Sequence, residues 1–377
     1  MALGLSVLPA AAGPVTYYPV RYTCDPSISA ATCDSLNNTV GSEYSQLFTN
    51  AAANIYITMG ALPAGAVAHN DQFYTTVSYA DYYNALNASV GQSAADASAA
   101  SSLPVPASGV AGNFSNPINA GYQVALTGAL DAALGLTGAK GICRPGESCL
   151  VGCQLGPSTA STCFNGIITL SSSKLFDSSD SENPLSGQYD FFTVVQHETD
   201  EVLGTGSCIQ AGTLTIGSLC LNGVVWGTSA ADLFRYAAPG QRGFSIDALT
   251  HKVIFQSASE YFSIDGGQTG IADLSNSSRG DDYGDLSTNC AHVQDSTGCT
   301  SWPTGNDRNG MDLMTDGGVE IAMLDAIGYQ LTHKGEELSA ASAYYAPEPS
   351  SVALVSIGFG LSGVVWRRRR RAQILRS

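Results

Sequence analysis

The chain has 377 residues, with 16 Lys and Arg against 32 Asp and Glu, a net charge of −16 and 44% hydrophobic residues. Six arginines (Arg367 to Arg371 and Arg376) and Glu348 lie beyond Ala346, so the body before them carries 10 basic and 31 acidic residues. So acidic a body repels phosphate backbones, which excludes nucleic-acid binding, while its apolar content is enough for a packed core.

Residues 2–15 are apolar and end in Ala10-Ala11-Ala12-Gly13, like the end of a signal peptide, although no positive residue precedes them. Residues 1–15 are therefore expected to be all or part of a signal segment. The pattern then predicts a helix over Gly41–Ala53, a strand over Asn54–Met59 and a helix over Tyr79–Asn87. Gly91–Pro106 is rich in Ala and Ser and reads as a loop or ragged helix; Gly121–Leu136 has a helical pattern. Gly166–Leu170 is a short strand ahead of the most informative stretch of the chain.

That stretch is His197-Glu198-Thr199-Asp200-Glu201. It sits in an apolar helical run, with Phe191, Val194, Val195, Val202 and Leu203 at helical spacing, Asp190 placed to cap the start and Gly204 to end it. On such a helix His197 and Glu201 are four apart and project from one face, where they can grip one cation. Glu198 lies beside them, free to act as general base on a metal-bound water. A bare pattern of this kind also occurs on solvated acidic helices, and the apolar run is what sets this one apart.

Downstream, Asp265-Gly266-Gly267 and Asp281-Asp282-Tyr283-Gly284-Asp285 read as turns that can also supply oxygen ligands to Ca2+. His69 and His333 have no supporting context. The ten cysteines are an even count, too many for a reducing compartment. Spacing pairs Cys24 with Cys33, Cys208 with Cys220 and Cys290 with Cys299 as local loops. Cys143, Cys149, Cys153 and Cys163 form a cluster that reads as disulfides or as a structural zinc site. Residues 16–332 are expected to form one domain and residues 333–346 a polar linker.

After the linker comes Pro347-Glu348-Pro349, then Ser351 to Trp366 without a charge, then Arg367, Arg368, Arg369, Arg370 and Arg371. As a helix the uncharged span covers about 24 Å, a little short of a bilayer core of about 30 Å. Trp366 at the interface and snorkelling arginines close that gap, and the arginines are expected on the cytoplasmic side. This arrangement resembles the PEP-CTERM sorting signal of Gram-negative bacteria. The resemblance implies export across the inner membrane, a transient membrane helix over residues 351–366 and recognition by exosortase-type sorting machinery. Processing near Pro347-Glu348-Pro349 would leave the protein at the cell surface or outside the cell.

The body carries a second resemblance. Tyr189–Gly204 looks like the active-site helix of metzincin-type metallopeptidases, and Met311–Tyr329 resembles their Met-turn and the helix after it. Asp232-Leu233-Phe234-Arg235-Tyr236 and Tyr261-Phe262-Ser263-Ile264-Asp265-Gly266-Gly267 are similar to segments of a bacterial group of predicted metalloproteases with the same His-Glu-x-x-Glu helix. The likeness runs from about Gly166 to Tyr329. It implies an α+β, metzincin-like zinc peptidase domain of mixed sheet, active-site helix, Met-turn and C-terminal helix. The strand Gly166–Leu170 would then be an edge strand lining the substrate cleft. His197 and Glu201 would bind zinc, Glu198 would be the catalytic base and Met314 the Met-turn floor.

The metzincin pattern continues to a third ligand, where this chain has Ser207, a poor zinc ligand. Asp232, His251 and His292 are the other candidates for that place, and none is assigned. The expected function is a secreted, surface-sorted zinc metallopeptidase acting on protein or peptide substrates. The alternative is a catalytically inactive surface or exopolysaccharide-matrix protein that keeps the fold and binds Ca2+. In either case, thiol titration of denatured protein from its native host is expected to find few free thiols; ten reactive thiols would overturn the export assignment.

Overall fold

The structure is a computed structural model. It describes residues 19–89, 93–106, 123–147, 149, 152–155, 162–179, 187–210, 215–216, 220, 227–246, 253–275, 282–287, 292–295 and 312–341. The signal segment, the span 351–366, Pro347-Glu348-Pro349 and the terminal arginines lie outside the described residues. No described helix is long and apolar enough to cross a membrane.

The architecture is mixed α+β. In chain order the first elements are β1 (Arg21–Cys24), α1 (Ala30–Asn38), α2 (Val40–Leu47), β2 (Asn54–Gly60), β3 (Ala68–Gln72) and β4 (Tyr74–Ser78). They are followed by α3 (Tyr79–Ser89), α4 (Ala94–Ser102), β5 (Gln123–Thr127), α5 (Gly128–Ala133), β6 (Lys140–Cys143), β7 (Cys153–Gln154), β8 (Cys163–Phe164), β9 (Gly166–Ser171) and α6 (Phe191–Leu203). The last helices are α7 (Gly318–Ile327) and α8 (His333–Leu338). The principal sheet has the order β1-β2-β9-β3, with β1, β2 and β9 parallel and β3 antiparallel at the edge. Strand β9 is thus internal, and the edge position expected for Gly166–Leu170 belongs to β3. A parallel strand buried on both sides and an edge strand differ in neighbours, which a single apolar run does not encode.

Ile55, Ile57, Ile168 and Leu170 are fully buried and belong to the main apolar core, which they share with Val195, Val202 and Leu203 of α6. The helix comes so close to the sheet that a β-carbon on Gly166 would collide with Val202. Asp190 caps α6 by accepting from the Phe192 and Thr193 N–H groups at 2.8 and 3.1 Å. Gly204 ends it at φ 124°, a left-handed conformation suited to glycine. Both ends are where the sequence placed them.

Buried polar contacts also hold α6 against the core. Tyr44 Oη donates to Asp200 at 2.6 Å, Tyr22 Oη and Thr199 Oγ1 lie 3.0 Å apart, and Tyr329 Oη donates to the Leu203 carbonyl at 2.8 Å. Burial and the nearby Glu320 and Glu43 hold the Asp200 carboxyl well above the usual range, with the Tyr44 hydrogen bond opposing.

Two predicted helices are corrected. The helix expected over Gly41–Ala53 stops at Leu47, and Phe48 instead bridges Leu331. Asn50 is the reason: its side chain serves the Ala133 and Gly328 carbonyls and the Gln330 N–H, contacts that compete with a continuing helix. Gly121–Leu136 is a strand followed by a helix, β5 then α5, with Thr127 capping the Leu130 N–H at 3.2 Å. A short buried apolar run does not tell the two states apart. Gly91–Pro106 contains a regular helix, α4, capped by Ser93. Residues 333–338, placed in the expected linker, form α8; it contacts α2 and α7, and Ala341 beyond it is buried.

The described cysteines pair as Cys24–Cys33, Cys143–Cys149, Cys153–Cys163 and Cys208–Cys220. The cysteine cluster is therefore disulfide-bonded, not a zinc site; Cys290 and Cys299 lie outside the described residues. The tight approach of α6 to β9 gives a direct check. Gly166→Ala should cost about 1–3 kcal/mol in chemical denaturation, because the added methyl must displace Val202.

Candidate metal centre

Helix α6 presents His197, Glu198 and Glu201 on the side facing β3 and the acidic loop around Asp285. His197 Nδ1 lies 3.0 Å from the Val293 carbonyl, which can only accept, so Nδ1 carries a proton and Nε2 points the other way. Around Nε2 stand Asp285 Oδ1 at 3.5 Å and Glu201 Oε1 at 3.8 Å. The ligand atoms of His197, Glu201 and Asp285 all lie within 4.8 Å of one another. Asn70 on β3 ties the carboxylates together: Nδ2 donates to Glu198 Oε2 at 2.9 Å and also to Glu201 Oε2.

The electrostatics are those of crowded, buried anions. Burial pushes the Glu201 carboxyl well above the usual range, and Asp282, Glu198 and Asp285 push it further. Burial likewise raises Asp285 to about 8, His197 opposing and Asp282 adding. Asp282 rises to about 6 by burial, although the Gly284 and Ser207 N–H groups favour its charged form. For His197, burial disfavours the imidazolium, but Asp285, Glu198 and the Val293 carbonyl outweigh it and raise the pKa. One imidazole nitrogen with two carboxylates is a donor set that fits a divalent cation, and a cation there would relieve the mutual repulsion.

The third group is Asp285, which in the sequence stands out only as part of an Asp-rich turn able to supply oxygen ligands to Ca2+. Of the other candidates for that place, Ser207 and Asp232 bond to one another, and neither Asp232 nor His292 converges with His197 among the described residues. Ser207 Oγ donates to Asp232 Oδ1 at 2.6 Å, and its N–H lies 3.3 Å from Asp282 Oδ1. Asp232 also accepts from the Cys208 and Ser229 N–H groups and the Thr228 hydroxyl. His292 Nδ1 pairs with the Asp316 carbonyl at 3.1 Å, and His251 lies outside the described residues. Asp265 caps its own turn through Ser263 and Thr269, and Asp281 lies outside the described residues. His69 pairs with Asp71 at 3.4 Å on the surface, and His333 lies near Glu336 and Glu337. Met314 is in the turn before α7, half-buried and packed against the main core.

The segment Asp232 to Arg235 explains how the acidic loop is held. Asp232 staples the chain leaving α6, as above. Arg235, 1% exposed, donates to Glu260 at 3.0 Å, to the Ser275 carbonyl at 3.1 Å and to the Tyr283 carbonyl. The last two contacts grip the loop on either side: Tyr283 lies between Asp282 and Asp285, and the Ser275 N–H donates to the Asp285 carbonyl at 2.8 Å. Burial raises Glu260 to about 7, against the pull of Arg235. Arg235→Met should destabilise the protein by about 3–5 kcal/mol in urea, because it leaves a buried carboxylate unpaired. Arg235→Met combined with Glu260→Met should recover most of that loss.

Residues 346–370 match the PEP-CTERM protein-sorting motif. No curated protein and no solved structure matches the chain. The motif is the recognition signal for exosortase and implies export and cell-surface or extracellular sorting in a Gram-negative bacterium. The chain therefore carries a PEP-CTERM sorting signal on a disulfide-bonded, mixed α+β body.

Proposed function

We propose that the body is a metal-dependent hydrolase of peptide bonds, with His197, Glu201 and Asp285 holding a zinc ion and Glu198 as general base. The observation that supports this most is the convergence of His197 Nε2, Glu201 and Asp285 within 4.8 Å, with a further carboxylate, Glu198, on the same helix. A bound zinc ion would polarise a water molecule and the substrate carbonyl. Glu198 takes the proton of the attacking water and delivers it to the leaving amine. Asn70 orients Glu198 and Glu201 through one amide, and Val293 holds the His197 ring so that Nε2 faces the ligand position. The substrates would be proteins or peptides outside the cell, and exosortase would process the tail near Pro347-Glu348-Pro349 while the inner membrane holds it.

A second reading is an inactive surface or matrix protein in which the same pocket takes Ca2+. The excess of oxygen over nitrogen donors favours it, because hard oxygen ligands suit calcium. The body cut before Ala346 is expected to hold about one zinc ion per chain by elemental analysis after incubation with zinc, and His197→Ala to hold none. Glu198→Gln should keep the zinc and lose about 10²–10⁴-fold in casein cleavage, the contribution of a general base. Cleavage at the parent rate by Glu198→Gln would assign the activity to another site. Zinc bound by a parent that never cleaves would favour the non-enzymatic reading.

A further inference from the structure

Gln294 stands at the same centre, and neither the motif nor the acidic loop contains it. The residue is fully buried, and its backbone is fixed on both sides: its N–H donates to Glu320 Oε1 at 2.8 Å and its carbonyl accepts from the Leu286 N–H at 2.8 Å. It directly follows Val293, whose carbonyl orients His197. The side-chain amide is therefore aimed into the site by the same short segment that sets the imidazole. Its Nε2 lies 3.4 Å from His197 Nε2 and 3.3 Å from Asp285 Oδ1, while Oε1 has no hydrogen-bond partner among the described residues. A buried amide oxygen without a partner is costly, so this orientation leaves an acceptor unused.

The two ends of an amide answer opposite environments. An N–H suits a lone pair on His197 Nε2 and the Asp285 carboxylate. A cation held by that lone pair and that carboxylate repels the N–H and attracts the carbonyl oxygen. We propose that Gln294 is the fourth ligand of this centre, supplying Oε1 to a divalent cation beside His197, Glu201 and Asp285. A half-turn of the amide brings the unused oxygen to the place the nitrogen holds, with the backbone unmoved. The set then becomes one imidazole nitrogen and three oxygens, with Gln294 added to the three groups that already converge. The inference rests on the metal reading above.

Cobalt(II) serves as the probe, because its visible absorption reports ligand number and type. The full body is titrated as parent, Gln294→Met and Gln294→Glu, with far-ultraviolet circular dichroism as the check on folding. Gln294→Met, close in size, should bind cobalt about 10–100-fold more weakly and shift the visible band. Gln294→Glu keeps an oxygen in place and adds a charge, so it should bind more tightly than the parent and alter the band. Parent-like affinity and band in Gln294→Met would overturn the fourth ligand while leaving the three-residue centre standing. Tighter binding by Gln294→Met would overturn it too, since the amide would then be blocking the site. A parent that takes up no cobalt sinks both this inference and the metal reading. If Gln294→Met does not fold, Gln294→Glu decides: tighter binding with an altered band supports direct ligation, and no change in either contradicts it.

Discussion

Like charges kept close together out of water are the constraint around which this body is organised. Glu198, Glu201, Asp282 and Asp285 are packed about one imidazole, and burial with mutual repulsion drives three of them toward the protonated state. Such a cluster persists only because the surrounding fold is rigid enough to hold it. Here that rigidity has named sources. Helix α6 is capped at both ends, pressed onto β9 through Gly166, and pinned from behind by Tyr22, Tyr44 and Tyr329.

The acidic loop is held by a different device. Arg235 reaches from a short antiparallel strand to grip two carbonyls of the loop, and its charge is matched by Glu260 rather than by the site carboxylates. Among the described residues no Lys or Arg pairs with the site carboxylates, which leaves the excess negative charge to be met by His197, by a bound cation or by protons. Asp232 and the Cys208–Cys220 disulfide fix the chain that leaves α6 on the other flank. The segment Asp232 to Tyr236 is structural support for the site, not a source of ligands.

Much of this was legible in the sequence where the information was local. The motif helix, its Asp190 cap and its Gly204 stop follow from spacing and end-group chemistry, as do the pairs Cys24–Cys33 and Cys208–Cys220. The mixed α+β class and the sorting signal were legible as well. What failed was long-range. Asp285 is 84 positions beyond Glu201 and meets it only because Arg235 and Ser275 fold the loop back. Asn70 lies on an edge strand whose neighbours no single-strand pattern specifies. Gln294 carries no charge and sits in no motif. The Gly121–Leu136 error has the same origin, since its apolar run is buried by partners far away in the chain.

The proposed function depends on one cation held by His197, Glu201 and Asp285 in a disulfide-bonded, exported body. X-ray absorption at the zinc edge of the purified, zinc-loaded body reads that environment directly. The expected shell is one imidazole and a remainder of oxygen ligands at about 2.0–2.2 Å, with no sulfur. Sulfur ligands at about 2.3 Å would place the metal on cysteines instead, and the absence of any ordered ligand shell would contradict the site altogether.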